Sequence, residues 1–118
     1  MRGKGALAAE ACFHKQAEEL EFAIEELAQH ILSLGGVAIL DYSDGVVEVN
    51  PPTSAAIPDL ATMVDNLANG HVQAGHSVGA ASDLASEVCE MSSISLLASR
   101  TQAHRAHSRR LSLLAADL

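Results

Sequence analysis

The side chains best suited to chemistry in this chain of 118 residues follow one flank of a single predicted helix. His14, Glu18, Glu21 and Glu25 recur at steps of four, three and four, so these imidazole and carboxylate groups share one face. Such groups are ligands for transition-metal cations. The pattern predicts either one wall of an acidic cavity that attracts such cations or an ordinary solvated helix face.

The other histidines carry a weaker signal. His71 lies in the apolar seam of a later helix, where we expect a neutral, hydrogen-bonded core histidine rather than a ligand. His104 and His107 are three residues apart and could bind one cation together, but the flanking Arg105 and Arg109 would repel it. We therefore assign this pair to the surface or to a subunit interface.

The element that carries the acidic stripe has a clear apolar seam. Between Phe13 and Leu34 apolar residues alternate at steps of four and three, and the pattern stops at Gly35-Gly36. This predicts a helix over residues 8–34, ended by a glycine in the left-handed conformation.

A second long pattern runs from Ile57 to Val88 and predicts a helix of about nine turns. Its three internal glycines each cost up to about 1 kcal/mol against alanine. Helix packing must compensate for this cost, or the helix breaks near Gly79. Between the two helices, residues 37–56 contain two short apolar stretches and Pro51-Pro52, which predict a crossing connection with one short element.

A last helix is predicted over residues 94–115, with Ser92 or Ser93 as its N-cap. Its second half is basic. We expect solvated surface positions for most of its arginines, although they also suit a pairing with the acidic first helix. These arginines are Arg100, Arg105, Arg109 and Arg110.

Composition limits the function further. A net charge of −8 argues against a general electrostatic grip on nucleic acid and favours metal cations as partners. The two cysteines, Cys12 and Cys89, form no disulfide framework, so a cytoplasmic location is expected. No apolar run approaches the roughly 18 residues of a membrane span. No phosphate loop or nucleophile motif supports a hydrolase or a nucleotide-binding protein.

The order of elements resembles the ferritin-like superfamily, most closely the Dps miniferritins (DNA-binding proteins from starved cells). The segment from Glu25 to Val37 is similar to the family's Asp-x-x-Ala-Glu-Arg-Ile-x-x-Leu-Gly-Gly motif, and Ser95 to Leu111 is similar to part of its last helix. The resemblance covers about residues 10–114. It implies one all-α, ferritin-like bundle domain over residues 1–118, with three long helices encoded and the family's first helix lacking.

The resemblance also implies a metal site. Miniferritins oxidise iron between two subunits, and their ligand positions fall on Glu10 and His14, near the start of the first helix, and on Glu25 and Gln29, near its end. Gln29 replaces a usual glutamate, and a neutral amide is a poor iron ligand. Glu18 and Glu21 are weaker candidates for the same site.

The other ferritin design places Glu-x-x-His motifs inside one bundle. The corresponding segment here is Thr101-Gln102-Ala103-His104, which lacks the carboxylate. The resemblance therefore predicts no intact di-iron centre within the subunit.

Two functions are consistent with the sequence and with the resemblance. In the first, the chain binds and stores iron, oxidising Fe(II) and sequestering Fe(III) in an oligomeric shell of identical chains or of chains mixed with a full-length ferritin-like subunit. In the second, it is a noncatalytic structural or co-assembly subunit. DNA condensation is not predicted, because the start of the chain offers only Arg2 and Lys4 as basic residues.

Overall fold

The computed structural model describes residues 5–36 and 59–118. These residues form three helices, α1 (Ala6–Ser33), α2 (Leu60–Glu87) and α3 (Met91–Ala116), and contain no strand. The predicted all-α bundle is confirmed. The predicted crossing connection lies outside the described residues. None of the described helices combines the length and the apolar character needed to cross a membrane.

The ends of α1 and α2 are set by local sequence. Gly35 has φ +86°, the left-handed conformation predicted for the end of α1, and the N–H of Gly36 donates to the carbonyl of Ile31 at 2.9 Å. At the start of α2, the Asp59 carboxylate accepts a hydrogen bond from the N–H of Thr62 at 2.8 Å. The C-terminus of α1 and the N-terminus of α2 are therefore capped.

The predicted serine N-cap of α3 is wrong. Glu90 is the N-cap, and its carboxylate accepts hydrogen bonds from the backbone N–H groups of Ser92 and Ser93. Ser93 is buried, and its hydroxyl is bonded instead to His30 Nε2 of α1 at 2.8 Å. The longer glutamate side chain reaches the free amides of the first turn, which releases Ser93 for a contact between helices.

α2 continues unbroken past Gly79 to Glu87. It packs along most of α3 in the opposite direction, because only residues 88–90 join the two helices. This contact compensates for the low helix propensity of the glycines. The alternative of a break near Gly79 is excluded.

α1 contacts α3 at fewer points and runs antiparallel to it. His30 meets Ser93 at one end of the bundle, and Cys12 packs with Leu111 near the other. The apolar core at this second end is small. It consists of the buried residues Cys12, Val64, Ala68 and Leu111.

The expected packing of the α1 apolar seam fails in its second half. Ile24, Ile31 and Leu34 are 45%, 39% and 54% exposed. The face of α1 that is buried instead carries small and polar residues, which allow close approach to α3. These buried residues are Ala9, Cys12, Gln16, Ala23 and Ala28.

Candidate functional site

A cluster of polar side chains occupies the middle of the bundle, and we call it the central cluster. All three helices contribute to it, and four of its members are at most 8% exposed. Its residues are Gln16 and Glu19 from α1, His71 from α2, and Arg100, His104 and His107 from α3.

The hydrogen bonds of the central cluster have a defined direction. Arg100 is always charged and donates from Nη2 to Nε2 of His104 at 3.1 Å, so the proton of His104 lies on Nδ1. His104 Nδ1 then donates to His71 Nδ1 at 3.0 Å. His71 carries its own proton on Nε2 and donates it to Oε1 of Gln16 at 3.1 Å. Both imidazoles are therefore neutral, each donating one hydrogen bond and accepting one.

Glu19 closes the other side of the cluster. Its carboxylate accepts hydrogen bonds from Nη1 of Arg100 and from Nε2 of His107, the second at 2.8 Å. The Gln16 amide donates to the carbonyl of His107 at 3.3 Å. Partial burial raises the pKa of Glu19, but the hydrogen bonds and charges of Arg100 and His107 outweigh it and leave the pKa below its usual value.

Electrostatics agrees with the neutral histidines. Burial is the largest cause that lowers the pKa of His71 from 6.5 to about 4, followed by repulsion from Arg100 and from His107 and His104 when these are protonated. Burial and then the Arg100 charge also lower the pKa of His104. A desolvated site that already holds a guanidinium disfavours a second cation.

The structure changes several expectations for these residues. His71 is confirmed as a satisfied core histidine, at 4% exposure. The surface assignment is wrong for His104, which is 8% exposed, because it packs against His71. Arg100 is 4% exposed and pairs with the acidic first helix, whereas the other three arginines of α3 are exposed, as expected.

Sequence reasoning missed Gln16 and Glu19. They lie three residues apart on α1, between buried positions at Cys12 and Ala23. On α3, Arg100, His104 and His107 follow at steps of four and three. A polar stripe at helical spacing on α1 and on α3 is the signal that could have identified them, but the pattern alone predicts surface positions for most of the α3 residues and does not single out Gln16 or Glu19.

The predicted metal ligands lie elsewhere, on the outward face of α1, and we call them the outer stripe. Every member is exposed. His14 and Glu18 are brought together, with Nε2 and Oε1 at 3.1 Å and side chains 77% and 67% exposed. The outer stripe consists of Glu10, His14, Glu18, Glu21, Glu25 and Gln29.

The two predicted ligand pairs are far apart within one chain. Glu25 and Gln29 line a shallow depression of about 200 Å³ together with Phe22 and Glu26. Fifteen residues separate Glu10 from Glu25, which corresponds to roughly 22 Å along a helix. Within residues 5–36 and 59–118, no three histidine, cysteine or acidic side chains converge on one metal position.

A comparison with known protein families identifies the family of this chain. The ferritin-like domain model matches residues 1–118, the full length of the chain. The chain belongs to the ferritin-like family. No curated protein and no solved structure matches it.

Members of the ferritin-like family with a di-iron centre bind the metals inside the bundle through carboxylates and Glu-x-x-His motifs. The central cluster of this ferritin-like chain does not fit such a centre. It offers one carboxylate, Glu19, and both oxygens of that group are hydrogen-bonded, one of them to Arg100. The acceptor nitrogens of His71 and His104 are also engaged. The Arg100 guanidinium already supplies the positive charge at this position.

Proposed function

We propose that this chain is a subunit of a ferritin-type assembly that binds Fe(II) between subunits through Glu10, His14 and Glu25. Peroxide or dioxygen accepts the electrons when the iron is oxidised to Fe(III), which the shell sequesters. Gln29 lies beside this site and contributes a neutral amide in place of a fourth strong ligand. In the reducing cytoplasm expected from the cysteine content, ferrous iron is the available substrate.

One observation carries this proposal. On the inward face of α1, Gln16 and Glu19 are hydrogen-bonded to residues of the other helices, whereas the members of the outer stripe are exposed. Within the described residues, the outer stripe presents a series of carboxylates with an imidazole at the protein surface. Iron chemistry therefore belongs on the outside of the helical bundle.

Geometry supports a site completed by a second subunit. Glu10 and His14 lie near one end of α1, and Glu25 lies near the other. Two copies of α1 that meet antiparallel across a two-fold axis would place the first pair of one chain beside Glu25 of the next. Such an interface contains the same site twice.

Exposed apolar side chains support assembly. Large apolar residues on each of the three helices are at least 60% exposed in a single chain, which is unfavourable unless a partner covers them. They include Leu7, Phe22 and Leu32 on α1, Leu84 on α2, and Met91 and Leu113 on α3. Phe22 also borders the depression that contains Glu25.

The test follows ferric absorbance and particle mass together while Fe(II) and peroxide are added to metal-free protein. We expect oxidation faster than in buffer on a closed particle, and loss of most of this rate in Glu25→Gln. Glu87→Gln, on an exposed position at the end of α2, is the matched control and should keep the parent rate. Buffer-like oxidation by the parent particle would contradict iron oxidation.

A second candidate is a noncatalytic subunit that co-assembles with a complete ferritin-like relative. It is favoured by the amide of Gln29 and by Arg100 in the central cluster. Polar substitution of Leu20 and Leu67 should then prevent assembly, while Glu10→Ala and Glu25→Ala should leave particle mass unchanged. A stable monomer that binds no ferritin-like partner would exclude this candidate.

A further inference from the structure

We propose that the groove between α2 and α3 binds a small phosphate-type oxyanion, held by Arg105 and Arg109. The groove has a volume of about 390 Å³, in the size range of small-molecule sites. This binding function is independent of the iron chemistry proposed above, because it uses another face of the bundle and other residues.

The lining of the groove is positively charged. Two arginines line it, together with His76 from α2, and no carboxylate is among its lining residues. Within the described residues, every ion pair of a basic α3 side chain is made to Glu19, by Arg100 and His107. Among the described residues, Arg105 and Arg109 therefore form no ion pair, although the chain has a net charge of −8.

The spacing of Arg105 and Arg109 allows both side chains to contact one anion. They lie four residues apart on α3, so their side chains are neighbours on one face and can approach a single anion. A guanidinium binds phosphate through paired N–H donors. Ser108 adds a hydroxyl to the lining. The Thr101 hydroxyl already donates to the carbonyl of Leu97 at 3.0 Å, so it contributes shape rather than a donor.

The floor and the opposite wall shape the groove. His71 and His104 form part of the floor, and their ring nitrogens are committed to the central cluster. On α2, a side chain added at Gly75 would meet nothing within 4 Å, so this glycine leaves the groove open.

A small oxyanion fits better than a nucleic acid. A polymer would extend beyond the two arginines onto a surface whose overall charge is negative, which opposes binding of a polyanion. A single phosphate group requires only the local positive potential. The ligand is therefore inorganic phosphate or a small phosphate monoester.

Isothermal titration calorimetry of the metal-free protein with inorganic phosphate tests the proposal. We expect saturable binding by the parent and at least a tenfold weaker affinity in both Arg105→Gln and Arg109→Gln. Arg110→Gln is the matched control, since Arg110 is the next residue along but lines the groove between α1 and α3, and it should keep the parent affinity. Circular dichroism checks that each variant is folded.

A substitution on the opposite wall separates the groove from general surface charge. Gly75→Leu leaves all arginines in place and should weaken phosphate binding by filling the groove. Tighter binding of glycerol phosphate than of inorganic phosphate would support a monoester ligand, and equal binding would support the free ion.

Three results would overturn the proposal. The first is no heat of phosphate binding in the millimolar range. The second is an equal loss in Arg110→Gln, which would indicate diffuse charge. The third is tighter, steeply salt-dependent binding of a single-stranded oligonucleotide through the same arginines, which would assign the groove to nucleic acid.

Discussion

The two polar faces of α1 contain similar residue types and have different chemistry. On the inward face, Gln16 and Glu19 are hydrogen-bonded to His71, Arg100 and other members of the central cluster. The outer stripe consists largely of carboxylates, with one imidazole, and faces solvent. Residue type alone therefore does not identify a metal site. Both oxygens of Glu19 already accept hydrogen bonds from buried or half-buried protein donors, which a metal ion would have to displace.

Arg100 explains the difference between the faces. A partly buried carboxylate is stabilised by a positive partner, and either a metal ion or a guanidinium can supply it. In the central cluster the guanidinium pairs with Glu19 and also fixes the tautomer of His104. Its own Nε is buried and has no hydrogen-bond partner among the described residues, so the arrangement retains one unsatisfied donor.

Among the substitutions considered, removal of the Arg100 guanidinium should decrease the free energy of unfolding most. Arg100→Met leaves Glu19 without its buried partner and His104 Nε2 without its donor. The substitution leaves the buried His104 Nε2 unsatisfied and removes the ion pair with Glu19, whose side chain is 37% exposed. The first change costs about 1–3 kcal/mol and the second up to about 1 kcal/mol, so we expect a decrease of about 2–4 kcal/mol in the free energy of unfolding, measured by urea denaturation. Arg105→Met, at an exposed position, should change it by less than about 0.5 kcal/mol.

The stability of Arg100→Met with and without added metal shows whether a metal ion can replace the guanidinium in the central cluster. If Arg100→Met regains its stability when Fe(II) or Zn(II) is added, the inward face can bind metal and the contrast between the two faces is wrong. Unchanged instability with metal would confirm that the central cluster depends on the guanidinium.

Acidification should destabilise the folded chain through the titration of His71, a member of the central cluster. Its pKa is lowered from 6.5 to about 4 in the folded chain, so the unfolded chain binds the extra proton first. The stability present above pH 6.5 should decrease as the pH falls toward 4, by roughly 3 kcal/mol in total, and then level off. The groups that face this imidazole are Gln16 and Glu19 from α1 and Arg100, His104 and His107 from α3.

The variant His71→Gln isolates this contribution. Its free energy of unfolding should depend less on pH between 4 and 6.5 than that of the parent. The exposed His76→Gln should follow the parent. A parallel decrease in parent and His71→Gln would assign the acid sensitivity to other groups.

The sequence predicted the helices well because their signals are local. The apolar period of α1, its stop at Gly35 and the length of α2 depend on residues a few positions apart. The N-cap of α3 was missed because Glu90 and Ser93 compete for the same turn, and only the position of His30 on another helix decides the outcome. Helix boundaries therefore follow from pattern, whereas side-chain partners do not.

The central cluster could not be predicted for the same reason. Glu19 looks like Glu18 in the sequence, and Arg100 looks like Arg105. Each joins the central cluster only through a partner roughly 80 positions away, as in the Arg100 to Glu19 pair. The candidate site on the outer stripe was named from the family resemblance, and the structure places its members on one exposed face of α1.

A carboxylate at position 29 should increase the iron oxidation rate of the outer stripe. Gln29→Glu adds a charged ligand beside Glu25. Under the proposed function, the rate of iron oxidation by the assembled particle should rise on the order of tenfold, as for other changes around metal ligands. Glu26→Gln tests whether a neighbouring charge in the same depression contributes. An unchanged rate in Gln29→Glu would favour the noncatalytic subunit.

The smallest expected effect comes from adjacent glutamates that differ only in the direction they face. Glu18→Gln removes an exposed helical ion pair with His14, and such pairs contribute less than about 0.5 kcal/mol. Glu19→Gln makes the same chemical change one residue away, but leaves the buried Arg100 without a negative partner and should cost about 1–3 kcal/mol. The difference in unfolding free energy between these variants isolates burial and partnership, because size and helix propensity are matched. Equal losses would mean that the inward pair is no more than a surface contact, and Arg100 would then lose its role as the internal cation of the bundle.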